Sequence, residues 1–357
     1  MMTPPAPRLP GVDALKGMAC VLIVWHHLAF YGPMSDVVHT AAPGLINWLY
    51  SDGRMAVQVF LVVGGFLAAG SLAPRGVAVF QRPGRLILRR YRRLVLPLLA
   101  ALFIAIVVAA GVRPWLQHPS VPDAPTLWQL LTHLFLLQDI LGQEALSAGI
   151  WYVAIDFQLF AISVALFSLA RDSRQQWLGL PAGVWLVFGL AAASLLYFNR
   201  RTGLDMTGLY FFGAYALGML AWWASRSVTP AYWLLAIALL GGLALALDFR
   251  GRLVVALAVA LGLVGLQRGL WSARWLQQPR LLQLGQISYS VFLIHFPVLL
   301  LVNAVLNHFW PAQLFANTLG LPAAFLLSLL AGRALYRSVE SRQAPSPGVP
   351  GKSCIAQ

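Results

Sequence analysis

Apolar runs of membrane-spanning length recur ten times along this chain, near 14–31, 55–73, 94–112, 151–170, 180–198, 206–224, 230–248, 252–269, 284–306 and 312–336. A bilayer core about 30 Å thick takes roughly 20 apolar residues of helix, and inside it a backbone satisfies its polar groups only as a helix or a closed barrel. The runs predict an all-α polytopic membrane protein with about ten transmembrane helices. Hydrophobic residues are 59% of the 357 and charged residues 10%, against about 25% charged in a soluble domain. A shorter run, 127–141, is too punctuated to cross and predicts a short re-entrant or interfacial helix. With no heptads, no longer repeat and no soluble domain, the expected organisation is a single transmembrane domain over 1–342. A disordered cytoplasmic tail, 343–357, follows.

The formal charge is +14, from 25 basic and 11 acidic residues. The basic residues cluster in loops between apolar runs, so they mark topology and contact with anionic lipid, and no nucleic-acid partner is expected. With the N-terminus cytoplasmic and loops alternating, eighteen arginines and lysines fall on the cytoplasmic side and six on the other. That asymmetry predicts both termini in the cytoplasm. Cys20 and Cys354 give neither a disulfide framework nor metal-ligand spacing, so no metal is expected. The opening MMTPPAPRLPG lacks a basic stretch leading to a cleavage site, and the first span is expected to stay as a signal anchor.

Ionisable residues at membrane depth are costly and face cavities or partners, which makes them candidates for function. The first span, Asp13 to Tyr31, carries Asp13, Lys16, His26 and His27. Lys16 and His27 are eleven residues apart, three turns plus ~20°, so they share one stripe at a separation of roughly 16 Å. The predicted topology sets His27 and Asp156 toward the outer leaflet and brings His295 to the middle or outer half, so the three are expected to converge on a similar level.

These residues sit in segments that together resemble the acyltransferase-3 family of integral membrane O-acyltransferases. Asp13-Ala-Leu-Lys16-Gly17 with His27 is similar to the family's basic residue, ten intervening residues and a histidine. Val59-Phe60-Leu61-Val62-Val63-Gly64-Gly65-Phe66 is similar to a Phe-Phe-x-x-Ser-Gly-Phe segment. Arg89-Arg90-Tyr91-Arg92-Arg93 precedes Pro97, and Trp151 to Gln158 is similar to a Trp-Ser-Leu-x-x-Glu-x-Gln block. Ile287 to Pro297 is close to a Ser-Tyr-x-x-Tyr-x-x-His-x-Pro block. The chain departs from the pattern at Lys16 for arginine, Gly64 for serine and Asp156 for glutamate. Lysine keeps the charge but loses the planar fork that grips phosphate at two points.

The resemblance implies a multi-pass protein of the bacterial inner membrane. It would move an acyl group, with acetyl-CoA or a relative as donor substrate and no bound cofactor, to a hydroxyl of a periplasmic or lipid-linked glycan. His27, Asp156 and His295 are the catalytic candidates, His27 as base or acyl carrier. Lys16, Arg89, Arg90 and Arg93 are the candidates for the CoA phosphates, and Asp13, His26, Ser288 and Tyr289 for support. Plainer roles stand beside these. His26 is ~100° around the helix from His27 and suits packing. Asp156 either orients His27 or pairs with a histidine or lysine to neutralise a buried charge. His295 either joins the site or bonds a carbonyl near the kink at Pro297. Gly64-Gly65 reads as close helix packing rather than an oxyanion hole. A proton-coupled secondary transporter using the same ionisable residues is the alternative function. Oligomeric state is not legible.

Overall fold

The computed structural model describes residues 9–173, 176–270 and 274–343. The expected tail beyond Gln343, with Lys352 and Cys354, lies outside the described residues, as do Arg8 and Arg174.

Each of the ten predicted spans is a helix: α1 (Pro10–Phe30), α4 (Ala56–Leu72), α5 (Pro83–Val112), α7 (Trp151–Leu169), α8 (Ala182–Leu196), α9 (Gly208–Arg226), α10 (Pro230–Leu247), α11 (Gly251–Gln267), α12 (Pro279–Phe309) and α13 (Leu314–Leu335). Among the described residues eight are long and apolar enough to cross a membrane, α4 as part of the longer helical stretch Pro43–Leu72 and α8 as part of Ala182–Arg200. The other two differ for physical reasons. Helix α11 is 17 residues long and has no such helical extension. Helix α9 is buried along almost its whole length, and its glycines, tyrosines and tryptophans suit contact with protein rather than lipid.

Short helices α2 (Pro33–His39) and α3 (Pro43–Asp52) fill the connection between α1 and α4, and α6 (Leu127–Leu134) is the expected short helix. Proline heads α1, α2, α3, α5, α10 and α12. At that position its fixed φ is helical and its missing N–H would have had no partner. A two-residue hairpin, Gln176–Trp177 with Leu180–Pro181, is the only sheet among the described residues.

Two glycine crossings hold the bundle. Helix α9 packs on α4 so closely that a Cβ on Gly218 would come within 1.9 Å of the Val62 carbonyl oxygen, and one on Gly65 within 1.8 Å of that of Tyr215. Helix α1 packs on α12 with Gly285 directly against the Asp13 carbonyl. In a membrane, where lipid is as apolar as leucine, this close approach of backbones supplies the packing that joins helices. Gly65 is thus a packing residue.

Helices α1 and α12 run parallel, since Gly17 meets Gly285, Cys20 meets Ser288 and His27 meets His295. Helix α7 runs against them, with the Tyr152 ring edge-on to Phe292 at 5.8 Å. Before α7 the chain dips into the bundle. Thr126 and Gln129 cap α6 reciprocally, and the Leu134 carbonyl accepts from the Tyr91 hydroxyl at 2.7 Å, deep along α5. His133 holds the return strand: its Nδ1 donates to the Gln129 carbonyl and its Nε2 accepts from the Leu146 amide. Leu127, Trp128, Leu131 and Phe135 stay exposed on the outside of this re-entrant segment, as lipid contact requires.

The start of α1 and the turn after α13 lie at the same end of the bundle, where Lys16 and Arg93 interact with Glu340. Reporter fusions at Gln176 and after Gln343 are therefore expected to mark one compartment and a fusion near Pro122 the other. Opposite readings at Gln176 and Gln343 would refute this topology.

Candidate active site

The two histidines predicted to share a depth meet. Nδ1 of His27 lies 2.6 Å from Nε2 of His295, and the ring planes are 8° apart with centroids 4.7 Å apart. That centroid separation is nearly the nitrogen separation plus two ring radii, so the rings face each other edge to edge in a common plane. Both are buried, at 6% and 1% exposure.

The hydrogen-bond network assigns the protons. Nδ1 of His295 sits 2.7 Å from the Phe292 carbonyl oxygen, which only accepts, so that nitrogen carries hydrogen. In the neutral ring Nε2 is then the acceptor, and His27 donates to it from Nδ1. This leaves Nε2 of His27 as a bare lone pair with no hydrogen-bond partner among the described residues. Gly149, the residue before the Ile150 cap of α7, closes over the ring: a Cβ there would stand 3.3 Å from His27 Cε1 and 2.8 Å from the Phe292 ring. Its φ of +77° favours glycine as well.

The other predicted residues divide. His26, its ring centroid 5.0 Å from that of His27, donates from Nδ1 to the Leu49 carbonyl of α3 at 2.9 Å, in the packing role. Asp156 does not reach His27. Its carboxylate is held by Arg90 at 2.7 Å, 2.5 Å and 3.2 Å, a forked pair with the guanidinium also 5.3 Å from the Phe160 ring centroid. Counting four residues along α7 and three along α12 from the Tyr152–Phe292 contact puts Asp156 roughly 10 Å below His295. The expectation of a common level for all three thus fails at Asp156, because the first turn of α7 carries it downward. Arg90, expected at phosphate, is committed to that carboxylate, and its charge is neutralised within the bundle.

Ser288 donates to the Gly285 carbonyl of its own helix at 2.9 Å. Tyr289 donates to the Leu94 carbonyl at 2.7 Å, tying α12 to α5 beside Pro97. At the end of the bundle where α1 starts, Lys16 lies 3.7 Å from Asp13. Arg89 and Arg93 are exposed. Glu340, which sequence reasoning passed over, accepts from Ser290 at 2.6 Å and interacts electrostatically with Arg93 and Lys16. It stands in a π-helical turn, Tyr336–Glu340, beyond the last span. Among the described residues no cluster of three or more histidine, cysteine or acidic side chains is arranged to hold a metal ion.

A polytopic helical bundle with a histidine pair in its interior is the framework of a membrane-bound acyl-transferring enzyme here. The chain belongs to the acyltransferase-3 family, whose acyltransferase domain matches residues 9–337. It is similar to a protein of Komagataeibacter xylinus named membrane-bound transacylase BcsY, 26% identical over 352 residues, 91% of this chain and 81% of that one. Acyltransferase MdmB of Streptomyces mycarofaciens is 26% identical over 200 residues, 54% of this chain and 46% of that one. Regulator of hypoxia-inducible factor 1 of Caenorhabditis elegans is 23% identical over 195 residues, 50% of this chain and 38% of that one. No solved structure matches the chain. The transporter alternative gives way to the acyltransferase on this family membership.

Removing one partner of a buried ion pair leaves the other uncompensated, at a cost of about 3–5 kcal/mol. Asp156→Asn is expected to lower the melting temperature of the purified protein and leave the pH–rate profile unmoved. A shifted lower limb at unchanged stability would return Asp156 to the chemistry.

Proposed function

We propose that this enzyme takes an acyl group, in the first instance acetyl, from acyl-CoA on the cytoplasmic side of a bacterial inner membrane and places it on a hydroxyl of a periplasmic or lipid-linked glycan. The observation that carries the reading is the bare Nε2 of His27, oriented by a partner that itself is anchored to the helix backbone. A neutral imidazole with its second nitrogen in a hydrogen bond is the form that accepts a proton. The acceptor oxygen attacks the thioester carbon, and its proton passes to Nε2 of His27. The carbon–sulfur bond breaks, and the departing thiolate takes that proton back. The acyl group ends as an ester and CoA leaves as a thiol.

CoA is anionic at its nucleotide end and thin along the arm that ends in the thioester. Lys16 and Arg93 offer positive charge at the end of the bundle where α1 starts, and His27 lies roughly 16 Å farther along the same stripe of α1. With the arm between α1 and its neighbours, the two residues are the two ends of one donor path. Arg89 is exposed on the same approach. The basic asymmetry of the loops supports a cytoplasmic setting for that end.

Loss of general-base assistance costs about 10²–10⁴-fold in rate. His27→Ala is expected to lose transfer to that extent while still folding and binding CoA. His26→Ala, which breaks the tie to α3 and removes a ring packed on Phe30 and His27, is expected to lower stability more than rate. Transfer at near wild-type rate by folded His27→Ala protein would place the base elsewhere.

Lys16→Ala is expected to weaken acyl-CoA binding, Lys16→Arg to preserve it, and added salt to weaken the wild type, because the charges involved are partly solvated. Titration of the three proteins with a non-hydrolysable acyl-CoA reads this directly. Equal affinity in wild type and Lys16→Ala would put the phosphates at another site.

A further inference from the structure

The start of α7 lies in the protein interior, beside His27. Residues 146–150, just before it, are all buried yet not helical. A helix leaves its first N–H groups without intrahelical partners, and they carry the positive end of its dipole. No side chain caps the N-terminus of α7, where the Tyr152 and Val153 amides turn back onto the Gly149 and Ile150 carbonyls. None of the amides of Ser147, Ala148, Gly149, Ile150 and Trp151 donates to a backbone carbonyl among the described residues. Two independent features lie against this bare end. One is His27, nine-tenths buried with its Nε2 unpartnered, whose Cε1 faces Gly149. The other is Ser147, 3% exposed, whose Oγ also finds no partner. Buried polar groups are nearly always bonded, and a cluster that is not calls for an explanation in function or in a bound molecule.

We infer that the N-terminus of α7, through the amides of Gly149 to Trp151 and the hydroxyl of Ser147, is the oxyanion hole of the transfer reaction. The inference rests on the proposed role of His27 and adds the group that completes it. When the acceptor oxygen adds to the thioester carbon, the carbonyl π electrons move to its oxygen, which becomes an alkoxide. His27 takes the hydroxyl proton on one side of the reacting carbon. The α7 donors receive the new negative charge on the other. When the carbon–sulfur bond breaks, the carbonyl reforms and the donors are released. Fixed dipoles of this kind act strongly where water is excluded and need no rearrangement as charge develops. Glycine at 149 lets the backbone approach the ring, and His133 sets the approach by holding the amide of Leu146, next to Ser147.

The amide of Ile150 tests the inference. Its φ is −64° and its N–H makes no backbone bond, so proline fits there and removes only the donor. Ile150→Ala reports the cost of the lost side chain with the N–H retained. The assay is release of CoA thiol from acetyl-CoA by the full chain in nanodiscs, with affinity for a non-hydrolysable acetyl-CoA analogue measured in parallel. Ile150→Pro is expected to fall about 10²–10³-fold below Ile150→Ala in kcat, with analogue affinity equal in the two. Ser147→Ala is expected to lower kcat without lowering the melting temperature, since it removes a hydroxyl that bonds nothing, and Ser147→Thr to recover part of the rate. Equal kcat for Ile150→Pro and Ile150→Ala overturns the oxyanion hole. So does a Ser147→Ala protein that is less stable and equally fast. If Ile150→Pro does not fold, the serine pair decides alone. No thiol release by the wild type would instead overturn the function proposed for His27, and the oxyanion hole with it.

Discussion

The parallel contact of α1 with α12 governs the rest of this structure. Three pairs, Gly17 with Gly285, Cys20 with Ser288 and His27 with His295, repeat at a constant separation of 268 residues. Two straight helices hold such a register only when the backbones nearly touch at one point, and Gly285 against the Asp13 carbonyl provides that point. A third of a turn of relative rotation would part the two imidazoles. The glycine contact one end of the seam makes is thus what aligns the nitrogens at the other, ~15 Å away by helical rise.

The histidine pair in turn relies on backbone. His295 keeps its proton on Nδ1 because the Phe292 carbonyl is there to accept it, and His27 takes the complementary tautomer because His295 does. Among the described residues no carboxylate bonds either imidazole. The acidic residue that the sequence places closest in kind, Asp156, serves a different equilibrium. It neutralises Arg90, whose five donors would otherwise be stranded among the helices, and the forked geometry makes the pair a fixed strut between α5 and α7.

What was legible in the sequence follows from which physical signals are local. Apolar length is local, and all ten long helices stand where the runs are. The break at 127–141 is local too, and α6 lies there. Depth along a span follows from topology and residue count, and that sufficed to foresee that His27 and His295 lie at one level. It failed for Asp156 because α7 begins inside the bundle rather than at its edge, and no loop residue announces that. Which residues face each other in the membrane plane is a long-range fact. Arg90 and Asp156 are 66 residues apart, and each had a more obvious partner on charge and family pattern alone. One signal went unused: Gly-x-x-small-x₆-His occurs in both α1 and α12, as Gly17, Cys20, His27 and Gly285, Ser288, His295. Helices α2 and α3 were likewise announced by Pro33 and Pro43 at their first positions.

The re-entrant segment before α7 divides the molecule into two kinds of parts. The long helices bond their own backbones, whereas residues 127–145 are held by a few polar contacts: the capping box at Thr126, Tyr91 on Leu134, and His133 on Leu146. Lengthening or resurfacing the more exposed part of this stretch, 139–145, would reshape the approach to the histidines without disturbing any helix crossing, whereas 146–150 are buried. The fold therefore separates the rigid alignment of its interior groups from the shape of the door that leads to them.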